Sequence, residues 1–196
     1  GASTLTADDS LAMYAAAYDA SSNYLADVSV TWNSTGTLDV INATGTSYIF
    51  RPVRAAASGT IIATSGSISD YTGTITVNVG VLHHVRVNTS SGSAGVEFLT
   101  ASLGAGQSVT LYCAGYDADS NYRAMVSATW SSTGTLDAVN ATGTSYTFQP
   151  VTAPSNGTIV ATSGSFNDAT GLINVITTLS VPEHGPFVAC QVNVTG

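Results

Sequence analysis

The chain has 196 residues, a net charge of −8 and four cations, all of them arginine. Nucleic acids and anionic membrane surfaces are bound through Lys and Arg, so this charge balance argues against both. A mean hydropathy of +0.25 with 8 % charged residues describes a surface that needs glycans, or burial in an assembly, to stay soluble.

The opening segment GASTLTADDS has no signal-peptide pattern, so a secreted protein is expected to be in its processed form. LAMYAAAY (11–18) alternates and places Leu11, Met13 and Ala15 on one face. Val28, Val30 and Trp32 alternate in the next strand. SYIF (47–50), GTIIAT (59–64) and TITVNV (74–79) are short runs rich in β-branched and aromatic residues. From 109 the series restarts. VTLYCAGY puts Val109, Leu111 and Cys113 on one face, followed by Val126, Ala128 and Trp130, then SYTF, GTIVAT and LINVIT. No helical period of useful length occurs, and no apolar stretch is long enough to span a bilayer. The expected class is all-β, with two β-sandwiches in tandem.

The restart is a repeat. Shifted by 98, the chain overlays itself without a gap, and roughly 43 of the 68 positions from 11 to 78 match their partners. YDASSNYLADVSVTWNSTGTLDVINATGTSYIFRPV (18–53) lies on YDADSNYRAMVSATWSSTGTLDAVNATGTSYTFQPV (116–151). The expected organisation is a first domain over 1–80, a second over 81–181, and a C-terminal segment over 182–196.

The order Y-D-A-x-x-N, V-x-x-T-W-x-S-T-G-T-L, G-T-I-x-A-T-x-G and T-G-x-I-x-V resembles the bacterial immunoglobulin-like domains. These occur in tandem in invasin- and intimin-type adhesins and in bacterial and archaeal surface proteins. The resemblance covers nearly the whole chain, twice. It implies two tandem immunoglobulin-like β-sandwiches and a location at the cell surface. It implies no catalytic residue. Such domains open with an L-x-x-I-x-V strand before the G-x-S-V-T-L strand. The second copy has both, as LHHVRVN (82–88) and GAGQSVTL (104–111). Ahead of copy one there is no counterpart of 82–88. That pattern appears instead after copy two, as FVACQVN (187–193), and the shift there is 105 because the linker is seven residues longer.

A C-terminal strand is therefore available for donation, carried by Phe187, Val188, Cys190, Val192 and Val194. Its expected acceptor is a groove in domain 1 lined by Leu11, Met13 and Ala15. Inserted into a second copy of the chain, the strand builds an open head-to-tail homopolymer, a pilus-like or thread-like filament. The pattern in this way resembles subunits of donor-strand-complemented extracellular filaments. Family topology places Cys190 against Ala15 of the next subunit. The alternative is a monomeric adhesin, stalk or carbohydrate-binding module with its tail folded back on domain 2. A disulfide between Cys113 and Cys190 then becomes possible, since copy one carries Ala15 and Val85 at those places. A disordered tail is the third reading.

N-glycosylation sequons stand at Asn33, Asn42, Asn88, Asn140, Asn156 and Asn193, which makes N-linked glycans expected partners. With the low charge they suit a secreted archaeal surface protein. No cofactor is expected. Asp117, Asp119 and Asn121 have the spacing of the start of a calcium loop but lack its central Gly and distal Glu, and turns explain them better. His83 and His84 point to opposite faces of a strand, and with His184 they are read as ordinary strand and linker residues. No G-x-S-x-G frame is present, so no enzyme is expected. The repeated tyrosines Tyr14, Tyr18, Tyr24 and Tyr48, with Tyr112, Tyr116, Tyr122 and Tyr146, are expected to pack at sheet edges rather than to stack on sugars.

Overall fold

The computed structural model describes residues 1–177. His184, Cys190, Asn193 and the strand expected over 187–193 lie outside the described residues, and so does the C-terminal segment 182–196.

Alternating apolar residues build strands, and Gly, Asn and Asp clusters end them. The first copy contains β1 (Ser3–Thr6), β2 (Leu11–Tyr14), β3 (Ala16–Tyr18), β4 (Tyr24–Asp27), β5 (Val30–Ser34) and β6 (Asn42–Gly45). It continues with β7 (Ser47–Phe50), β8 (Ala57–Gly59), β9 (Ile61–Ser65), β10 (Ile68–Tyr71) and β11 (Ile75–Asn78). The second copy contains β12 (His84–Asn88), β13 (Ala101–Gly104), β14 (Val109–Tyr116), β15 (Tyr122–Met125), β16 (Ala128–Ser132) and β17 (Asn140–Gly143). Then come β18 (Ser145–Phe148), β19 (Ser155–Gly157), β20 (Ile159–Ser163), β21 (Phe166–Ala169) and β22 (Ile173–Ile176). Strands β13 to β22 repeat β1 to β11 at a shift of 98, with β14 spanning the places of both β2 and β3. Strand β12 has no counterpart among the described residues of the first copy.

Each copy is an immunoglobulin-like sandwich. In the second, one sheet runs β17-β16-β20-β21 and another runs β12-β14-β15, with β18 also on β14. A ribbon β13-β22-β19 completes it, and its β13–β22 pair is parallel. Alternate residues from β12, β14, β16, β18, β20 and β22 meet in one core: Val85, Val87, Leu111, Cys113, Trp130, Phe148, Ile159, Ile173 and Val175. The first copy has its own core around Trp32, Phe50, Ile61, Ile75 and Val77. Each such aliphatic or aromatic side chain contributes roughly 1.5–3 kcal/mol on burial.

The repeated polar residues explain the identical turns. Trp32 Nε1 donates to the Gly45 carbonyl at 3.1 Å, and Trp130 Nε1 to the Gly143 carbonyl at 3.0 Å. Gly36 and Gly134 both have φ +66, and a Cβ at either would collide with a carbonyl oxygen, Ser58 or Asn156. Glycine meets both demands. Asp39 accepts the Val53 and Arg54 N–H groups at 2.7 and 3.2 Å, and Asp137 accepts those of Val151 and Thr152 at 2.6 and 3.2 Å. These carboxylates fix one loop at the same end of each sandwich.

Candidate functional site

Strand β12 shows what the opening strand does in domain 2. It pairs antiparallel with β14 over its whole length, with Val85 opposite Gly115 and Val87 opposite Cys113. Val85 and Val87 point into the core. Residues 84, 86 and 88 alternate to the other face, where they cover Tyr116. His84 stacks on its ring at 5.4 Å, Arg86 lies 4.9 Å above its centroid, and Asn88 Nδ2 donates to its hydroxyl at 3.0 Å. Tyr116 is left 6 % exposed. A carboxylate on β21 holds the strand from the side, as Asp168 Oδ2 accepts the Val87 N–H at 2.7 Å.

The same place in domain 1 is a groove of about 860 Å³. Its floor is Met13, Ala15, Val30 and Trp32, and its far wall is Ala63, Ile68, Asp70 and Tyr71. Among the described residues, no strand pairs with the edge that corresponds to the β12 side of β14. Without that neighbour the long strand is split, β2 ending at Tyr14 and β3 starting at Ala16. Tyr18, the counterpart of Tyr116, is 61 % exposed. Tyr14, Ile68 and Tyr71 are exposed as well. An apolar trough beside an unpaired strand edge is a site for strand addition.

Two of the three expected acceptor residues, Met13 and Ala15, line this groove. Leu11 does not. It sits at the far end of β2, opposite Phe50 of β7, and packs on the core. The expected facing of Cys190 and Ala15 lies outside the described residues, and only its counterpart in domain 2 is seen. The register of β12 sets the counterpart of Cys190, Val85, opposite Gly115, so the matching acceptor position is Ala17. Ala15 falls opposite the counterpart of Val192. The far wall escaped the strand-by-strand reading, although a signal for it exists. Three carboxylate pairs recur at a shift of 98: Asp19 with Asp117, Asp39 with Asp137, and Asp70 with Asp168. All three second-copy members accept backbone N–H groups. Among the described residues, no N–H reaches the Asp70 carboxylate.

A second constellation lies where the two domains meet. Asp117 Oδ1 accepts the N–H groups of Asp119 and Asn121 at 3.1 and 2.8 Å, and Oδ2 accepts that of Gly80 in the linker at 3.0 Å. Burial raises the pKa of Asp117, but the Gly80 and Asn121 donors outweigh it and the carboxyl ends below its usual value. Residues 117–121 thus form a turn that grips the linker. Arg123 also donates to the Gly80 carbonyl, and Asp8 of domain 1 accepts the Val81 N–H at 2.7 Å. Asn121 reaches across: its Nδ2 donates to the Val53 carbonyl at 2.9 Å and its Oδ1 accepts the Ala55 N–H at 3.1 Å.

The remaining candidates fall as follows. Asn42, Asn140 and Asn156 are exposed, and Asn33 is half-buried. Asn88 is 0 % exposed, with its amide committed to Tyr116, so it is no glycan acceptor in the folded domain. That expectation is corrected, because a sugar on Nδ2 has no room there. Cys113 is buried, has no described sulfur partner, and its thiol is pushed up to about 11 by burial. The His83 and His84 rings stand edge to face at an interplanar angle of 84°. Tyr48 and Tyr146 stack on Trp32 and Trp130 at 6.4 and 6.2 Å. No helix among the described residues is long and apolar enough to cross a membrane.

No protein-family model matches the chain, and no curated protein matches it. Solved structures overlap it loosely. The N-terminal four Ig domains of Dscam1 isoform 8.4 superpose with a TM-score of 0.34 at 9 % identity, over 90 % of this chain and 43 % of that one. Isoform 6.9 gives a TM-score of 0.33 at 8 % identity, over 90 % and 43 %. The N-terminal Ig1-2 module of the Drosophila receptor protein tyrosine phosphatase DLAR gives 0.26 at 13 % identity, over 90 % and 94 %. The chain thus spans less than half of the Dscam1 fragments, and overlaps this loose pass no feature of those proteins to this one.

Proposed function

We propose that this chain is the structural subunit of an extracellular homopolymer, in which segment 187–193 of one copy fills the domain 1 groove of the next. The observation that carries this reading is the contrast between the two copies. Where β12 completes domain 2, domain 1 has an apolar groove, and FVACQVN repeats the pattern of LHHVRVN later in the sequence. Several side chains have matching counterparts. Val192 corresponds to Val87, whose N–H meets Asp168, and Asp70 stands ready in the groove. Asn193 corresponds to Asn88, and Tyr18 corresponds to its partner Tyr116. The place that the tail's pattern matches is already taken in domain 2, which disfavours the fold-back alternative. Because donor and acceptor patches differ, the contact is head-to-tail and propagates as a filament. The work of the protein is assembly, without turnover. Glycans on Asn42, Asn140 and Asn156 would coat it.

The test is assembly of the full chain beside two variants, one lacking 186–196 and one carrying Val192→Asp, followed by gel filtration and electron microscopy. Filaments from the full chain and monomers from both variants are expected. Filaments that survive both changes, or a full chain that stays monomeric, overturn the reading.

A further inference from the structure

The contacts between the two domains of one chain divide into two kinds. Three hold the linker: Asp8 to the Val81 N–H, Asp117 to the Gly80 N–H and Arg123 to the Gly80 carbonyl. One joins the bodies of the sandwiches: Asn121 to the backbone of Val53 and Ala55. The repeat treats these kinds differently. The counterparts of Asp8 and Arg123 in the other copy are Gly106 and Leu25, so these two linker contacts are lost, while Asp117 and Gly80 keep counterparts in Asp19 and Gly185. Val81 itself corresponds to Pro186, which has no N–H to donate. Donor and acceptor have vanished together, in step with a linker seven residues longer. The body contact is kept. Asn121 corresponds to Asn23, and Val53 and Ala55 correspond to Val151 and Ala153.

Both halves of that kept contact are built and exposed. Asp19 Oδ1 accepts the N–H groups of Ser21 and Asn23 at 2.9 and 2.8 Å, and Asn23 Nδ2 donates to Asp19 Oδ2 at 2.9 Å. This is the turn that Asp117 and Asn121 form, with no second domain against it among the described residues. At the far end of domain 2, Asp137 shapes the 151–152 loop as Asp39 shapes 53–54. Val151 is 77 % exposed, against 53 % for Val53 beneath Asn121.

Resting on the polymer reading, we infer that Asn23 of the acceptor subunit docks on the backbone of Val151 and Ala153 of the donor subunit. Each junction between subunits then repeats the body-to-body contact inside a subunit, while its longer linker loses two of its three side-chain clamps. The inserted strand supplies the attachment. The Asn23 contact sets the angle between successive subunits and stiffens the filament.

The experiment uses the full chain with Cys190→Val, which removes the tail thiol and leaves Cys113 buried. Asn23→Cys and Thr152→Cys are introduced together, and assembled filaments are treated with a short bis-maleimide. A ladder of linked multimers on a denaturing gel is expected. Each single-cysteine chain, and Thr152→Cys paired with Val40→Cys, should give none. In parallel, Asn23→Ala filaments should form but show a shorter persistence length by electron microscopy. Filaments that form without a ladder, or that keep their stiffness in Asn23→Ala, overturn the docking contact and leave strand insertion standing. A parent chain that makes no filaments overturns the polymer reading and the contact with it.

Discussion

Asp168 accepts the backbone N–H of Val87 at 2.7 Å, a carboxylate of β21 holding the strand that completes its own sandwich. Asp168→Ala leaves that N–H without a partner. It should destabilise domain 2 by roughly 1–3 kcal/mol, read as a lower urea midpoint. Asp70→Ala, at the matching place, should leave the unassembled chain unchanged and lower the temperature at which filaments dissociate. An equal loss in both unassembled variants would show that Asp70 already has a partner within its own domain.

The two tryptophans form a second matched pair. Trp32→Phe and Trp130→Phe each remove one indole hydrogen bond to a glycine carbonyl and should each cost about 1 kcal/mol. Truncation to Ala should cost about 3–5 kcal/mol. Denaturant unfolding of each variant measures both.

Asp117 carries a pH signature. Its carboxyl is held below the ordinary value of 3.8 by the net effect of burial, which raises it, and N–H donors led by Gly80, which lower it. A depressed folded pKa stabilises the fold above 3.8 and is lost as pH falls through the folded value. The unfolding midpoint should therefore drop from about pH 4 downward, and Asp117→Asn should flatten that part of the curve. An unchanged slope in Asp117→Asn would refute the assignment.

Cys113 should be inert in the folded protein. A thiol at about 11 is almost fully protonated at neutral pH, and the side chain is 0 % exposed. Alkylation at about pH 8 should mark Cys113 in denatured chains and spare it in native ones, as read by peptide mass spectrometry.

Glycan mapping on material from a glycosylating host should find Asn88 unmodified and sugars confined to the exposed Asn42, Asn140 and Asn156 or the half-buried Asn33 within the described domains. A sugar on Asn88 in folded protein would contradict its contact with Tyr116.

Much of this was legible before any coordinates. A shift of 98 with matched tryptophans, STGT turns and alternating strands determined an all-β fold in two copies, because periodicity and turn chemistry are local properties. The extra opening strand of copy two was visible as a pattern too. Packing across sheets decided the rest, since it joins residues far apart in the chain. Asn88 reads as a surface sequon until β12 turns its amide into the hydroxyl of Tyr116. Leu11 reads as groove until its pairing with Phe50 of β7 sets it at the far end of β2. DADSN reads as a turn, and its Asn121 reveals a second role when it reaches 68 residues back to Val53. Asp70 and Asp168 look alike in sequence, and the tertiary structure separates them: one holds a strand and the other faces an open groove.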